Sequence, residues 1–105
     1  MEILYHPHHA TISDGMQQRV ERGLRKLEQR FGGPLVDATV RFERDGPTCR
    51  VELVLRALRG RRLVAEGEGR FFGPALAASL ARLDAQLRHV KRTRKARARR
   101  TTARA

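Results

Sequence analysis

Few residues of this 105-residue chain have the types and spacing that chemistry requires. His6, His8 and His9 are spaced like a metal clip, but a single loop with no carboxylate or thiolate beside it is a weak ligand set. Cys49 is the one cysteine, so it can form neither an intrachain disulfide nor a structural zinc site. We therefore expect solvated histidines and a buried Cys49 that packs as a small apolar residue.

A catalytic centre is not indicated either. Glu66 and Glu68 come nearest to a carboxylate pair, but they alternate with apolar positions, as on the solvent-facing side of a strand. Gly67 and Gly69 lie in the stretch GEGRFFG, which lacks the glycine spacing, the lysine and the hydroxyl of a phosphate-binding loop. We expect no enzymatic activity, no cofactor, no metal and no small-molecule substrate.

Positive charge is the strongest chemical feature of the chain. It has 23 Lys and Arg against 11 Asp and Glu, which gives a formal net charge of +12. Residues 88–105 hold nine of these cations and no acid, so +12 minus nine leaves +3 for residues 1–87. A polycationic segment of this kind attracts polyanions, and nucleic acid is the leading candidate partner.

A first amphipathic helix is predicted from Asp14 to Phe31. Ser13 has the position of an N-cap, and Asp14 places a carboxylate at the positive end of the helix dipole. Apolar residues form one stripe, with Glu21 and Glu28 on one flank of it. The other flank is basic and comprises Arg19, Arg22, Lys26 and Arg30. Gly32, Gly33 and Pro34 should end the helix.

A second helix should begin near Pro74, a residue suited to the first turn. Its apolar stripe ends at Val90, because Lys91 and Arg94 then enter the same face. Beyond that point the chain either projects as a basic helix or stays disordered until an anion orders it. We expect a domain over residues 1–92 and a basic tail over residues 93–105 that is flexible when free.

Alternating apolar residues predict the strands. Ile3 and Tyr5 indicate a short first strand closed by Pro7, because proline cannot donate to a ladder. After the first helix, a hairpin is predicted, with Asp45, Gly46 and Pro47 in its turn. A second turn at residues 59–61 leads to a last strand over residues 63–68. The predicted fold is α+β, in the order β-α-β-β-β-α, with two helices on one face of a four-stranded, mostly antiparallel sheet.

If the two helices lie side by side, their basic residues form one patch suited to the phosphates of folded RNA. The candidate RNA-binding residues are Arg19, Arg22, Lys26, Arg30, Arg82, Arg88, His89, Lys91, Arg92, Arg94 and Lys95. With no signal pattern and no long apolar run, we expect a soluble, cytoplasmic protein with no membrane partner, monomeric when free.

From Met1 to Lys95 the sequence resembles the ribosome hibernation promoting factors and ribosome-associated inhibitor proteins, historically called sigma-54 modulation proteins. The similar segments are ISDGMQQRVERGLRKLEQRF at residues 12–31, AEGEG at 65–69 and ARLDAQLRHVK at 81–91. A basic position typical of the family's first helix is Gly23 here, and the acidic and tyrosine positions before the second helix are Phe71 and Gly73.

The resemblance implies a fold related to double-stranded RNA-binding domains and a site on the small ribosomal subunit, against 16S rRNA. There the protein would occupy the path of mRNA and of the A-site and P-site tRNAs and hold ribosomes inactive in stationary phase or stress. The length suggests a short-type member. Such members either promote ribosome dimerisation with a separate modulation factor or oppose it, and the basic tail does not decide between them.

Two other functions remain open at this stage. A general structured-RNA-binding or DNA-binding module would account for the charge equally well, and it would bind naked duplexes as tightly as ribosomes. A transcription modulator, as the older family name suggests, would bind RNA polymerase or its sigma factor.

Overall fold

The computed structural model describes residues 1–31, 35–57 and 60–103, and the side chains of these ranges as far as Val90. The elements follow the order β-α-β-β-β-α that the sequence predicts. They are β1 (Glu2–His8), α1 (Asp14–Phe31), β2 (Leu35–Asp45), β3 (Thr48–Ala57), β4 (Arg62–Gly69) and α2 (Phe72–Ala103). The predicted helix end at residues 32–34 and part of the predicted turn at residues 59–61 lie outside the described residues.

The start of α1 agrees with the sequence prediction in detail. Ser13 caps the helix, because its Oγ accepts a hydrogen bond from the Met16 N–H at 3.2 Å. The Ser13 carbonyl accepts the next bond, from the Gln17 N–H at 3.0 Å. The helix therefore begins at the predicted residue, with the predicted face turned to the core.

The sheet has the strand order β1-β2-β3-β4. β1 pairs with β2 in parallel, whereas β2–β3 and β3–β4 are antiparallel, so the sheet is mostly antiparallel as predicted. The prediction that Pro7 closes β1 is wrong, since Pro7 lies within the strand opposite Phe42. β1 is an edge strand paired on one side only, and such a strand can accommodate a residue without an N–H.

The three histidines also differ from the prediction of a loop. His6 and His8 belong to β1, and His9 follows it directly. All three are exposed, which agrees with the expected solvation. Cys49 is buried on β3 as predicted, and its thiol contacts the Arg70 carbonyl at 3.4 Å.

Both helices cover the same face of the sheet and enclose one apolar core. The core residues of α1 are Val20, Leu24 and Leu27, which are 0–4% exposed. From α2, Leu76, Leu83 and Leu87 pack into the same cluster. The side chains of β2 and β3 that alternate toward the helices complete it, with Phe42 in edge contact with Phe72 at 5.5 Å between ring centroids. The hairpin turn has Gly46 at φ +58°, a conformation that favours glycine.

α2 crosses β4 at very close range at Gly67. A Cβ added to Gly67 would lie 2.2 Å from the Ala75 carbonyl oxygen and 2.6 Å from the Ser79 nitrogen. Ser79 is fully buried, and its hydroxyl donates to the Leu76 carbonyl at 2.8 Å within the helix. The glycine that first suggests a phosphate loop therefore permits contact between two backbones.

The opposite face of the sheet, here called the open face, is not covered by the described residues. Its side chains form rows that cross the four strands in register from β1 to β4. The first row is Glu2, Asp37, Arg56 and Arg62; the second is Leu4, Thr39, Val54 and Val64; the third is His6, Arg41, Glu52 and Glu66; the fourth is His8, Glu43, Arg50 and Glu68.

Glu66 and Glu68 face solvent on the open face, as the sequence predicts. Both carboxylates lie 3.0 Å from the guanidinium of Arg50, which also approaches Glu43 at 3.9 Å. These carboxylates raise the pKa of Arg50 above its ordinary value, chiefly through the hydrogen bond that Arg50 donates to Glu68 and then through the negative charge of Glu68. The pair therefore holds an arginine and is not arranged for acid–base chemistry.

Candidate RNA-binding surface

α1 and α2 lie side by side and run in the same direction along the sheet. Three contacts occur in the same order along both helices. The Arg19 guanidinium lies 3.0 Å from the position of a Cβ added to Gly73, and a Cβ added to Gly23 would lie 2.6 Å from Leu80 Cδ1. Further along, Arg30 reaches Asp84. We call the solvent-facing surface of this helix pair the helical face.

Gly23 marks the place where the helices approach each other. Leu80 occupies the space that a side chain at residue 23 would need, so a long basic side chain there would displace Leu80. Gly23 therefore has a packing role in this chain. At Gly73 the space is taken by Arg19, whose charge lies beside the start of α2.

The basic flank of α1 faces α2, and the two helices share one carboxylate between them. Asp84 Oδ2 lies 3.3 Å from Arg30 Nη1 and 2.6 Å from Arg88 Nη2. The Asp84 side chain is 14% exposed, whereas those of Arg30 and Arg88 are 63% and 68% exposed. The arginines thus keep most of their surface in solvent, while the acid beneath them offsets their mutual repulsion.

Arg22 and Lys26 are cations on the helical face that pair with no other described residue. Both side chains are exposed, and among the described residues none forms a hydrogen bond or ion pair with either. They lie one turn apart on α1, so their charges lie on neighbouring parts of the surface. A polyanion could bind both without breaking an internal contact.

The acids of α1 lie on its other flank, toward β1. Glu28 Oε2 accepts a hydrogen bond from the Leu35 N–H at 3.4 Å, and Glu21 lines a groove with Tyr5. The pKa of Tyr5 is raised above its ordinary 10.0, first by burial and then by the negative charge of Glu21. Glu21 and Glu28 thus lie apart from Arg19, Arg22, Lys26 and Arg30, as the helical wheel predicts, and Arg25 is the one base of α1 that shares the groove with these acids.

Arg82 lies on the opposite side of α2 from Arg88. Its guanidinium donates to the Glu66 carbonyl, and Gln86 Nε2 donates to the Val64 carbonyl at 2.7 Å. Both carbonyls belong to β4, the edge strand of the sheet. His89 is seven residues after Arg82, about two turns, and is exposed on the same side of the helix.

The structure therefore divides the predicted patch into two parts. One part brings together the side chains on the α1 side: Arg19, Arg22, Lys26, Arg30 and Arg88. The other part, Arg82 and His89, lies beyond α2 along the β4 edge. The side chains of Lys91, Arg92, Arg94 and Lys95 lie outside the described residues, but the backbone of α2 continues as a helix to Ala103.

Neither a metal-binding cluster nor a membrane-spanning helix occurs within the described residues. No group of three or more His, Cys, Asp or Glu side chains there is arranged to hold a metal ion. None of the helices, over those same residues, combines the length and the apolar character that crossing a bilayer requires.

The sequence did not indicate the roles of Asp84 and Gln86. Asp84 is the last acid before the polycationic segment, and that position is the one available signal. Its pairing with Arg30 spans 54 residues and depends on how the two helices pack. Gln86 lies one turn after Arg82, and this spacing allows both to reach a single edge strand.

An α+β domain with two helices on one face of a mixed sheet and a basic helical face is typical of several nucleic-acid-binding classes. The family follows from the sequence itself: the model of the family described as Sigma 54 modulation protein / S30EA ribosomal protein matches residues 3–95, and the chain belongs to that family. None of the curated proteins gives a significant match.

Solved structures share the fold. The crystal structure of the Thermus thermophilus Protein Y N-terminal domain superposes with a TM-score of 0.75 at 24% identity, covering 86% of this chain and 99% of that one. The structure of a ribosomal subunit interface protein from Coxiella burnetii superposes with a TM-score of 0.75 at 17% identity, covering 87% of this chain and 98% of that one. At these identities the likeness establishes the architecture.

Proposed function

We propose that this protein is a ribosome-associated hibernation factor. In this proposal its helical face binds 16S rRNA of the small ribosomal subunit in the channel for mRNA and tRNA. The bound protein blocks the A and P sites in stationary phase or stress. The inhibition is steric and requires no catalysis, cofactor or metal.

One observation carries the proposal, namely the sorting of charge around α1. Four of the five bases of α1 lie on the flank toward α2, where Arg30 shares Asp84 with Arg88, while Glu21 and Glu28 lie with Arg25 on the far flank beside β1. If the surface charge of α1 served only solubility, positive and negative side chains would be interspersed. A surface of one sign, with exposed arginines and a lysine on parallel helices, is suited to the closely spaced phosphates of folded RNA.

Family membership supports the ribosome as the source of that RNA. The family description names a ribosomal protein, and the similar structure from Coxiella burnetii is that of a ribosomal subunit interface protein. The resemblance of residues 12–31 and 81–91 to the hibernation factors adds the mRNA and tRNA channel as the expected location. α1 falls within the first of these segments, and the second segment lies within α2.

Cosedimentation with purified ribosomal subunits tests the proposal. Lys26→Glu should lower binding to the small subunit about tenfold or more, because a repulsive charge replaces an attractive one next to phosphate. Arg25→Glu makes the same charge change one residue away, on the flank that faces Tyr5 and Glu21, and is the matched control. Equal loss in both variants, with the fold intact by circular dichroism, would contradict binding through the helical face.

Competition and retention experiments distinguish a hibernation factor from a general nucleic-acid-binding module and from a transcription modulator. Excess naked duplex RNA or DNA should not displace the protein from the small subunit, whereas displacement at equal affinity would indicate a general nucleic-acid-binding module. Bound protein should also prevent tRNA from entering the A and P sites in a filter-binding assay. Retention by RNA polymerase or its sigma factor, with no retention by ribosomes, would favour a transcription modulator.

A further inference from the structure

The open face carries a charge pattern that a second copy of this chain would complement. In the first row, β1 and β2 present Glu2 and Asp37, while β3 and β4 present Arg56 and Arg62. In the third row the order is reversed, because basic side chains on β1 and β2 precede Glu52 and Glu66. In these two rows, like charges are therefore neighbours within each half of the row, and opposite charges lie in the other half.

Like charges on neighbouring strands are unfavourable in an isolated sheet. Like charges directly opposite each other on adjacent strands destabilise the pairing. Some of the charge is neutralised internally, since Arg56 pairs with Asp37 and Arg50 with Glu66. Within the part of the chain that the structure describes, no salt bridge reaches Glu2 or Arg62 at the two edges.

The second row supplies an apolar strip between the charged rows. Leu4 and Val64, at its two ends, are 46% and 44% exposed, and Val54 lies between them. Beside this strip, a groove of about 500 Å³ opens next to His6, Arg41 and Glu52. The face thus has an apolar centre and charged margins, which is the general composition of a protein interface.

We propose that the open face is a self-association surface, on which two copies pack sheet to sheet about a two-fold axis parallel to the strands. The axis runs between β2 and β3, so β1 of one copy lies over β4 of the other, and β2 over β3. Glu2 then meets Arg62 of the second copy, and Leu4 meets Val64 of the second copy. Packed sheets lie about 10 Å apart and rotated by about 30°, which long charged side chains can span.

The remaining rows agree with the same axis. In the third row Arg41 faces Glu52 of the second copy, and His6 can donate to Glu66 of the second copy. In the fourth row Glu43 faces Arg50 of the second copy. A two-fold axis perpendicular to the strands and parallel to the sheets would place the first row of one copy over the third row of the other. The fourth row would then have no counterpart in the second copy.

The proposed packing keeps the basic helical faces of the two copies apart. Both helical faces point outward, on opposite sides of the dimer, so the cations of α1 and α2 do not oppose association directly. The helical face takes no part in the contact, and the dimer therefore does not depend on the proposed ribosomal function.

The small area of the open face indicates a weak dimer. Four strands of seven residues present a face of about 20 by 20 Å, or about 800 Å² for two copies. Stable interfaces bury about 1,200 Å² or more, so the dissociation constant should be on the order of 100 μM at moderate salt. The sequence predicts a free monomer, and at concentrations well below this dissociation constant most chains would be monomeric.

Charge exchange at the two edges tests the arrangement. Sedimentation equilibrium of the full chain, from micromolar to millimolar concentration, should show a monomer–dimer equilibrium. Glu2→Arg and Arg62→Glu should each weaken the dimer about tenfold or more, because each creates two like-charge contacts across the axis. Each change also places an opposite charge beside Asp37 or Arg56 in the monomer, so the fold should be retained.

The double variant gives the decisive result. Residues 2 and 62 lie on the two edge strands, about 14 Å apart in one copy, so they do not interact directly in the monomer. Glu2→Arg with Arg62→Glu should restore the wild-type affinity within about threefold, and an equimolar mixture of the two single variants should form the heterodimer. A monomer at millimolar concentration, single variants without effect, or restoration by Glu66→Arg and not by Glu2→Arg would each overturn the proposal.

Discussion

Asp84 accepts a hydrogen bond from Arg30 across the helix pair, with 3.3 Å between Oδ2 and Nη1. The same oxygen lies 2.6 Å from the guanidinium of Arg88, one turn further along α2. Asp84 therefore joins the two helices where their positive charges converge. It stabilises the fold and at the same time lowers the positive potential that a phosphate would meet.

Removing the charge of Asp84 should therefore have opposite effects on RNA binding and on stability. Asp84→Asn should strengthen binding to small-subunit RNA about threefold to tenfold, since a negative charge is removed beneath two exposed arginines. The free energy of unfolding should fall by about 0.5–1 kcal/mol, the range of largely exposed ion pairs. Filter binding and urea denaturation measure the two quantities. Asp45→Asn, at the hairpin turn, makes the same charge change, and an equal gain there would show that net charge alone matters.

The basic segment should contribute affinity without determining the site. Residues 96–105 contain four arginines and no acid. Their deletion should weaken binding and reduce the slope of log K against log salt by roughly 3, while footprints on 16S rRNA stay in place. Titrations at several salt concentrations measure the slope. A flat salt response of the full chain would contradict electrostatic binding, and a shifted footprint would assign placement to the tail.

The close approach of α2 to β4 should make residue 67 intolerant of any side chain. Gly67→Ala would bring a Cβ within 2.2 Å of the Ala75 carbonyl oxygen, so the helix must move or the strand must bend. We expect a loss of about 2–4 kcal/mol in the free energy of unfolding. Gly69→Ala is the control, because its nearest neighbour would lie at an ordinary 3.4 Å. Equal stability of the two variants in thermal denaturation would refute this packing.

Arg82 should contribute to stability in a way that the bases of α1 do not. Arg82→Ala removes a hydrogen bond to the Glu66 carbonyl on the edge strand, and Gln86→Ala removes the bond to Val64. Each should lower the free energy of unfolding by about 1 kcal/mol. Arg22→Ala, which breaks no hydrogen bond or ion pair among the described residues, should leave the stability unchanged and lower RNA binding only. Urea denaturation that ranks Arg22 with Arg82 would argue against this distinction.

Tyr5 should titrate above its ordinary pKa in the folded protein. Burial, and then the charge of Glu21, raises that pKa, so the neutral phenol is favoured in the native state. A raised folded-state pKa gives stability that is complete below about pH 10 and is lost as pH rises through the folded value. Tyr5 is the one tyrosine, so tyrosinate absorbance reports it directly. Tyr5→Phe should lack this part of the alkaline loss, and a titration at or below the free value would contradict the assignment.

Local signals in the sequence predict most of the fold. The N-cap at Ser13 and the apolar period of α1 give both ends of that helix, and strict alternation gives the hairpin. Pro7 misleads because its effect depends on whether a strand is central or at an edge. That property belongs to the sheet as a whole and cannot be read from the neighbours of Pro7.

The surface was harder to predict than the fold. A helical wheel gives the flank on which each base lies but not the neighbour that it faces. The position of Arg82 beside β4 follows from the crossing of α2 over Gly67, which brings the far flank of the helix to the sheet edge. Charge complementarity on the open face depends in the same way on strand register, which becomes visible only when all four strands are aligned.

Unequal charge on the two faces also has a consequence for the rate of encounter with RNA. The helical face is basic, whereas the open face carries six acids and four arginines. The molecule is therefore an electric dipole that rotates in the field of a polyanion before contact. If the helical face binds RNA as proposed, RNA that approaches the open face would be attracted less, and a larger share of collisions would become productive at low ionic strength. The sheet would then influence the rate at which RNA binds, although it would not itself contact the RNA.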